Sequence, residues 1–257
     1  MAQQGSNPPD RDWYRRTFDE YYPLLYAHRD QREARALLAH LADLASLEGG
    51  RVLDLGCGAG RYLRALLARR VEPIGLDLSS PLLQRARAEL PDVPLVRADM
   101  RCVPFRSASF RWVLLMFTSF GYFLTREEDA RVLEEVARLL EPGGHLVLDY
   151  INTPYLRRHL VPRSTRRVHG VRVRDWRWVD PGGEFLRKMT WVGPMGDGAM
   201  RTYVERLRLY EPAQISELLA LHGLQVVARL GDYQGHEFQS GTSPRLLVLA
   251  QRGGGDS

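Results

Sequence analysis

The stretch Val52-Leu-Asp-Leu-Gly-Cys-Gly-Ala-Gly-Arg-Tyr62 decides the fold, because an apolar strand ends there in glycines at the alternate positions 56, 58 and 60. Glycine accepts positive φ and lacks the Cβ that would hold a bound molecule away, so this turn can wrap a nucleoside at the carboxyl end of a strand. A dinucleotide fingerprint places its third glycine three positions after the second. That position holds Arg61, which weighs against a pyrophosphate ligand.

Outward from the turn, apolar patterning predicts strands at 51–55, 72–76, 95–98, 110–117 and 145–150, alternating with helices at 60–69, 80–90 and 126–140. This rhythm argues for a parallel sheet with helices on both faces. On the amino-terminal side, residues 12–47 read as helix, broken near Pro23. After Tyr150, residues 163–210 read as antiparallel strands at 166–179, 184–192 and 200–210, separated by Asp180-Pro-Gly-Gly183 and Gly193-Pro-Met-Gly-Asp-Gly198. A helix opening at Pro212 and strands 224–230 and 245–251 restore the first rhythm. The expected architecture is α/β, a Rossmann-like seven-stranded doubly wound sheet with an antiparallel β insert after the fifth strand. Its divisions are a core over 10–150 and 211–252 with amino-terminal cap helices, an inserted lid over 151–210, and disordered tails at 1–9 and 253–257.

The chain has 257 residues, 44% hydrophobic and 26% charged, a composition that suits one α/β core with an elaboration. No apolar run approaches the roughly 20 residues of a membrane span, and residues 1–10 have no secretory pattern. The two cysteines, Cys57 and Cys102, have neither metal spacing nor a disulfide framework, so no metal is expected and the cytoplasm is the expected compartment. The net charge of +5 is weak evidence for a polyanionic partner, since Lys188 is the only lysine and every other basic side chain is arginine or histidine.

Three acids fall at successive strand ends, Asp54, Asp77 and Asp99, at the edge where open parallel sheets bind ligands. Asp77 is placed to accept both hydroxyls of a ribose. Asp99 can accept from an adenine amino group while the Met100 amide donates to a ring nitrogen, a donor and acceptor pair that selects the base. The glycine turn, Asp77, Asp99 and Leu139-Leu-Glu-Pro-Gly-Gly-His-Leu-Val-Leu148 follow one another in an order that resembles class I S-adenosylmethionine (SAM)-dependent methyltransferases. Residues 209–219, 223–224 and 231–235 before 243–246 look like the last helix and paired strands of the small-molecule branch of that family.

The resemblance implies SAM as cofactor, held by Asp54, Gly56, Cys57, Gly58, Gly60, Asp77, Leu78, Asp99, Met100, Met116 and Phe117. It implies methyl transfer to N or O of a small molecule by in-line displacement, with proximity and orientation as the main source of catalysis. Met116–Ser119 has neither the proline nor the acid of the exocyclic base-amine methyltransferases, and no Pro-Cys nucleophile, so base methylation is disfavoured. Tyr14, Tyr21, Tyr26 and Tyr122 are the substrate candidates, with Tyr21 or Tyr26 reaching either the methionine carboxylate or the acceptor, and Arg15 or Arg61 as alternative sources of that charge. His236 and Tyr122 are the candidate catalytic groups, with His145 and Tyr150 as further possible bases. The alternatives are an RNA methyltransferase using the arginines and Trp176, Trp178 and Trp191 of the insert, a nucleotide-binding oxidoreductase, and a non-catalytic SAM-binding regulator. A homodimer is compatible with every one of these readings. An anionic cavity would point to amines, and a cationic one to acids or phosphorylated acceptors.

Overall fold

The computed structural model describes residues 12–19, 22–26, 31–194 and 198–254. Tyr21 and the tails at 1–9 and 255–257 lie outside the described residues. The amino-terminal region forms α1 (Trp13–Thr17), α2 (Tyr22–Leu25) and α3 (Gln31–Leu44). Then come β1 (Arg51–Leu55), α4 (Arg61–Leu66), β2 (Glu72–Asp77), α5 (Ser80–Glu89), β3 (Leu95–Arg97), β4 (Phe110–Leu115), α6 (Arg126–Leu139) and β5 (Leu140–Ile151). A short α7 (Thr153–His159), absent from the sequence-based reading, leads to β6 (Arg163–Val168), β7 (Val171–Val179), β8 (Phe185–Gly193) and β9 (Arg201–Arg208). The chain closes with α8 (Pro212–Leu221), β10 (Leu224–Leu230) and β11 (Arg245–Arg252).

One sheet has seven strands in the order β10-β11-β5-β4-β1-β2-β3, with β11 antiparallel to both neighbours and β1 to β5 parallel. The central strands are almost continuously apolar because helices cover both faces. Alternate residues divide between two cores: Leu53, Val113, Leu115 and Leu148 join α6 and α8, whereas Val52, Trp112, Leu114 and Val147 join α3 and α4. The Glu141–Gly144 segment bulges out of β5 opposite Arg111, between the pairs Phe110–Leu140 and Trp112–His145.

The second sheet is a four-stranded antiparallel meander, β6-β7-β8-β9. Where patterning predicts a single strand over 166–179, the structure has a hairpin, since His169 and Gly170 take φ of 45° and 81°. Two consecutive positive φ values are the signature of a tight hairpin turn, and histidine is not a residue from which such a turn is readily read. The inward face of this sheet places Val173, Val192 and Tyr203 against Leu25 of α2. Thr17 Oγ1 donates to Val204 O at 2.8 Å, Tyr203 Oη to Asp19 at 3.0 Å, and Arg166 to Leu25 O at 3.1 Å. These contacts clamp the amino-terminal cap between the lid and the main sheet.

α6 opens on a capping box formed by Thr125 and Glu128, which satisfies amides the helix leaves free. Asp129 is fully buried, so it does more than complement the helix dipole. It accepts from Arg208 Nε at 3.1 Å and Tyr210 Oη at 2.9 Å, and its carboxyl is pushed up to about 6 by burial, against the pull of those two donors. Arg208 also donates to Glu184 and to Leu124 O, so one buried pair fixes the lid, α6 and the loop before it together. Arg208→Met should therefore cost about 3–5 kcal/mol, the penalty for stranding a buried charge. Urea unfolding at neutral pH measures it, and a loss near zero would show that the pair does not anchor the lid.

Candidate active site

The carboxyl ends of β1, β2, β3 and β4 open into one cavity of about 680 Å³, roofed by α1 and α2. Gly56, Gly58 and Gly60 have φ of 86°, 53° and 84°. The positive φ demands glycine at these positions, and a Cβ would also press on side chains, at 3.0 Å from Ser119 Oγ for Gly56 and 2.7 Å from Leu90 Cδ1 for Gly60. Asp77 accepts from Gly58 N at 2.8 Å and Ser79 N at 2.7 Å, which joins the turn to the end of β2 and fixes the orientation of the carboxylate.

Asp54 is 2% exposed, faces the cavity and makes no hydrogen bond among the described residues. Burial, then the neighbouring Asp77, pushes its carboxyl up to about 7, and Arg61 opposes them. A buried acid without a donor is costly, and a cation bound in the cavity would relieve it. Arg61 lies on the same wall, paired with Glu33 at 3.0 Å and stacked over Tyr62 and Phe117. At the far end of the sheet edge, Asp99 is gripped through both oxygens by Arg101, at 3.0 and 2.7 Å. Burial raises this carboxyl, but the Arg101 contacts outweigh it and hold it below its ordinary value. Leu78, Met100 and Cys57 complete this half of the cavity, and burial raises the Cys57 thiol far from the reactive range.

The loop after β4 forms the other wall. Phe117 and Thr118 take φ of 58° and 60°, a left-handed conformation that is strained for such residues. Asp149, at the end of β5, holds them there: its Oδ2 accepts from Phe117 N at 2.8 Å and its carbonyl from Thr118 N at 2.9 Å. The same carboxylate accepts from Tyr233 Oη at 2.7 Å and from Arg245, which also donates to Thr118 Oγ1 at 2.7 Å. Sequence reasoning missed this hub, although an acid inside the apolar run Leu146-Val-Leu-Asp-Tyr150 was the available signal.

Over the strained loop lies an aromatic group drawn from Phe18, Tyr22, Tyr26, Phe117 and Tyr122. Tyr26 meets Phe117 edge-on at 5.3 Å and lies 4.8 Å from Tyr22, while Phe18 is 5.7 Å from Tyr122. The lid stands behind Tyr26. Its hydroxyl donates to Glu205 at 3.1 Å and accepts from Lys188 at 2.5 Å, and Lys188 pairs with Glu205 at 2.7 Å. Burial, followed by interactions that include Glu205, raises the hydroxyls of Tyr22, Tyr26 and Tyr122, which are therefore neutral at physiological pH. Burial works against the Lys188 charge, but Glu205 and Tyr26 more than compensate and raise its pKa.

The structure separates the other candidates. Tyr14, Arg15, Met116 and Tyr122 line the cavity. His236 does not: its side chain is 77% exposed and pairs with Asp232 at 2.7 Å outside the site. The turn before it, Gly231 to Gly235, carries it away from the cofactor edge. His145 stacks on Trp112 just after the bulge in β5, and Tyr150 is buried with its hydroxyl given to Arg208 O, so neither reaches the cavity. Asp149→Asn should lower stability by about 3–5 kcal/mol, because it leaves Arg245 uncompensated. Tyr233→Phe removes a single hydrogen bond and should cost about 1 kcal/mol. Denaturant titration compares the two, and equal losses would show that the ion pair is not what holds the loop.

Comparison with known proteins agrees with this geometry. A family profile described as a methyltransferase domain matches residues 52–144. An N,N-dimethyltransferase of dTDP-3-amino-3,4,6-trideoxy-α-D-glucopyranose from Streptomyces venezuelae is 36% identical over 137 residues, covering 51% of this chain and 55% of that protein. The chain thus spans about half the length of that relative. The cypemycin N-terminal methyltransferase of a Streptomyces species is 27% identical over 84% of this chain and 89% of its own length. Among solved structures, the CcbJ methyltransferase from Streptomyces caelestis superposes with a TM-score of 0.78 at 23% identity, covering 92% of this chain and 98% of that one.

Proposed function

This chain belongs to the class I SAM-dependent methyltransferases, and from that we propose that it methylates an amine nitrogen of a small-molecule acceptor. The observation that carries the choice of amine is the aromatic group of Phe117, Tyr22, Tyr26 and Tyr122 lining the cavity, with the Tyr26 hydroxyl held by Glu205 behind it. Aromatic faces stabilise the positive charge that a neutral amine nitrogen takes on as it accepts the methyl group, and the ammonium so formed gives its proton to water. The names of two relatives, one acting on an amino sugar and one on a peptide N-terminus, support the same reading. Free Cys57 and Cys102 suit a reducing compartment, and we place the reaction in the cytoplasm. No helix among the described residues is long and apolar enough to cross a membrane.

The residues present suit SAM. Asp54 is a buried acid without a donor, as the ammonium of its methionine half requires, and Arg61, which pairs with Glu33 on the same wall, would also meet the carboxylate. Gly56 and Gly58 let the backbone approach, Asp77 would take the ribose hydroxyls, and Asp99 with the Met100 amide would take the adenine edge. Bound there, SAM supplies a methyl group on a sulfonium, whose thioether is a good leaving group. The protein aligns the acceptor. Tyr22, Tyr26 and Tyr122 form a wall that excludes water, and the rigid loop at Phe117 fixes the distance between the two halves of the cavity. Such alignment can lower a barrier by roughly 7–11 kcal/mol.

The acceptor class is tested by measuring S-adenosylhomocysteine release with amino sugars and peptide amines against their hydroxyl analogues. Turnover of amines alone is expected, and turnover confined to the hydroxyl compounds would overturn the assignment. Tyr26→Phe removes a hydroxyl bound to Glu205 and Lys188, so kcat/KM for the amine should fall about fivefold, the equivalent of about 1 kcal/mol. SAM affinity should be unchanged in that variant. A weakened affinity would instead put Tyr26 at the methionine carboxylate.

Asp54 also gives the site a pH dependence. A cationic ligand binds the carboxylate form, so affinity for SAM should fall as pH drops through about 7, approaching about tenfold per pH unit well below it. Stability of the free protein moves the other way. The folded state holds the Asp54 and Asp129 protons more tightly than the unfolded state, so this contribution is complete below the unfolded carboxyl range and is lost as pH rises through about 6 and about 7. The rise in Tm that SAM produces should therefore be larger at pH 8 than at pH 6, and Asp54→Asn should flatten the difference. A Tm shift independent of pH in the unsubstituted protein would refute the role of Asp54.

A further inference from the structure

The two faces of the inserted sheet treat their cations differently. On the inward face Arg166 and Arg177 both bond Asp175, and Lys188 bonds Glu205. On the outward face Trp178 stands opposite Arg187, and Arg187 opposite Arg206. Directly opposed residues share a face, so these three form one row. In the next row along, Phe185 stands opposite Arg208. The guanidinium carbons of Arg187, Arg206 and Arg208 lie 6.0, 5.3 and 4.5 Å from the centre of the Phe185 ring.

Asp129 and Glu184 satisfy Arg208. Nothing comparable serves the other two. Arg206 is 3% exposed, gives one hydrogen bond to Tyr122 O at 3.3 Å, leaves its Nε without a partner, and pairs with no carboxylate among the described residues. Arg187, half-buried beside it, has neither a hydrogen bond nor an ion pair among the described residues. Burial and the adjacent Arg187 and Arg208 all disfavour the charge on Arg206. Two neighbouring cations, one desolvated, are costly without a counterion. A second copy of the chain would not supply one, since a twofold pairing through this face would bring arginine against arginine.

We infer that Arg187 and Arg206 form a binding site for a phosphoryl oxyanion, with the Trp178 ring as its rim. The fork of a guanidinium matches two oxygens of a phosphate, and its weak hydration favours binding in a half-buried place. Arg206 bonds the backbone of Tyr122, whose ring lines the acceptor cavity, so an anion here borders that cavity wall. The site stands independently of which nucleophile accepts the methyl group.

Isothermal titration of the full chain with inorganic pyrophosphate, at constant ionic strength, tests the assignment. Binding tighter than about 1 mM is expected. Arg187→Gln, a change at a half-buried position, should weaken it at least about tenfold. Arg163→Gln, exposed on the same sheet, should leave it unchanged within about twofold. No measurable binding, or equal binding in Arg187→Gln, would overturn the site. Two further titrations, with inorganic phosphate and with glucose 1-phosphate, identify the source. Tighter binding of the ester indicates a phosphate carried by a substrate, and binding of phosphate at least as tight indicates a free anion, both through the same pair of arginines.

Discussion

The carboxylate of Asp149 is the constraint on which the site depends. It is fully buried at the end of β5 and gathers donors from three parts of the chain: Phe117 N from the loop after β4, Tyr233 Oη after β10, and Arg245 at the start of β11. A buried carboxylate is stable only when such donors surround it. Here those donors hold Phe117 and Thr118 in a strained backbone conformation that neither residue would choose alone. The strain keeps a rigid edge between the glycine turn and the aromatic group. Antiparallel β11 thereby contributes to the site, although β5 and β4 lie between it and β1.

A second buried acid does the corresponding work for the lid. Asp129 binds Arg208 and Tyr210 and joins the end of β9 to α6, while Thr17, Asp19 and Leu25 tie the cap to the same sheet. The lid therefore presses α1 and α2 down over the cavity and brings Lys188 and Glu205 behind Tyr26. One sheet presents its strand ends to the cavity and the other shapes the space facing them. The two lid faces serve their cations differently: the inward face pairs Arg166, Arg177 and Lys188 with acids, and the outward face keeps Arg187 and Arg206 without one among the described residues.

The main sheet was legible because its signals are local. Alternation of apolar strands and amphipathic helices, the glycine turn and the strand-end acids each lie within a few residues, and strands 51–55 and 224–230 were read to the residue. The lid was read less well: patterning merged β6 and β7 because His169 takes positive φ, a conformation that histidine does not advertise. His236 was attractive because it follows a turn near the expected site, yet the direction in which a turn leaves the sheet is set by packing beyond it. In the sequence Asp129 is only an acid near a helix start, since a sequence does not show that Arg208, 79 residues later, arrives beside it.

By itself the sequence determined the class of fold, because a strand, a three-glycine turn and acids at neighbouring strand ends are local patterns, and it pointed to the kind of cofactor through the family resemblance those patterns carry. Only the tertiary structure decided which tyrosines face the cavity, which acids are buried, and what lies behind them. Tyr26, Lys188 and Glu205 come from an amino-terminal helix end and two lid strands, and the hydroxyl, ammonium and carboxylate acquire a joint chemistry only at hydrogen-bond distance. The same holds for the lone carboxylate of Asp54 and the unpaired guanidinium of Arg206. Charge is written in the sequence, whereas desolvation and the absence of a partner are properties of the packed molecule.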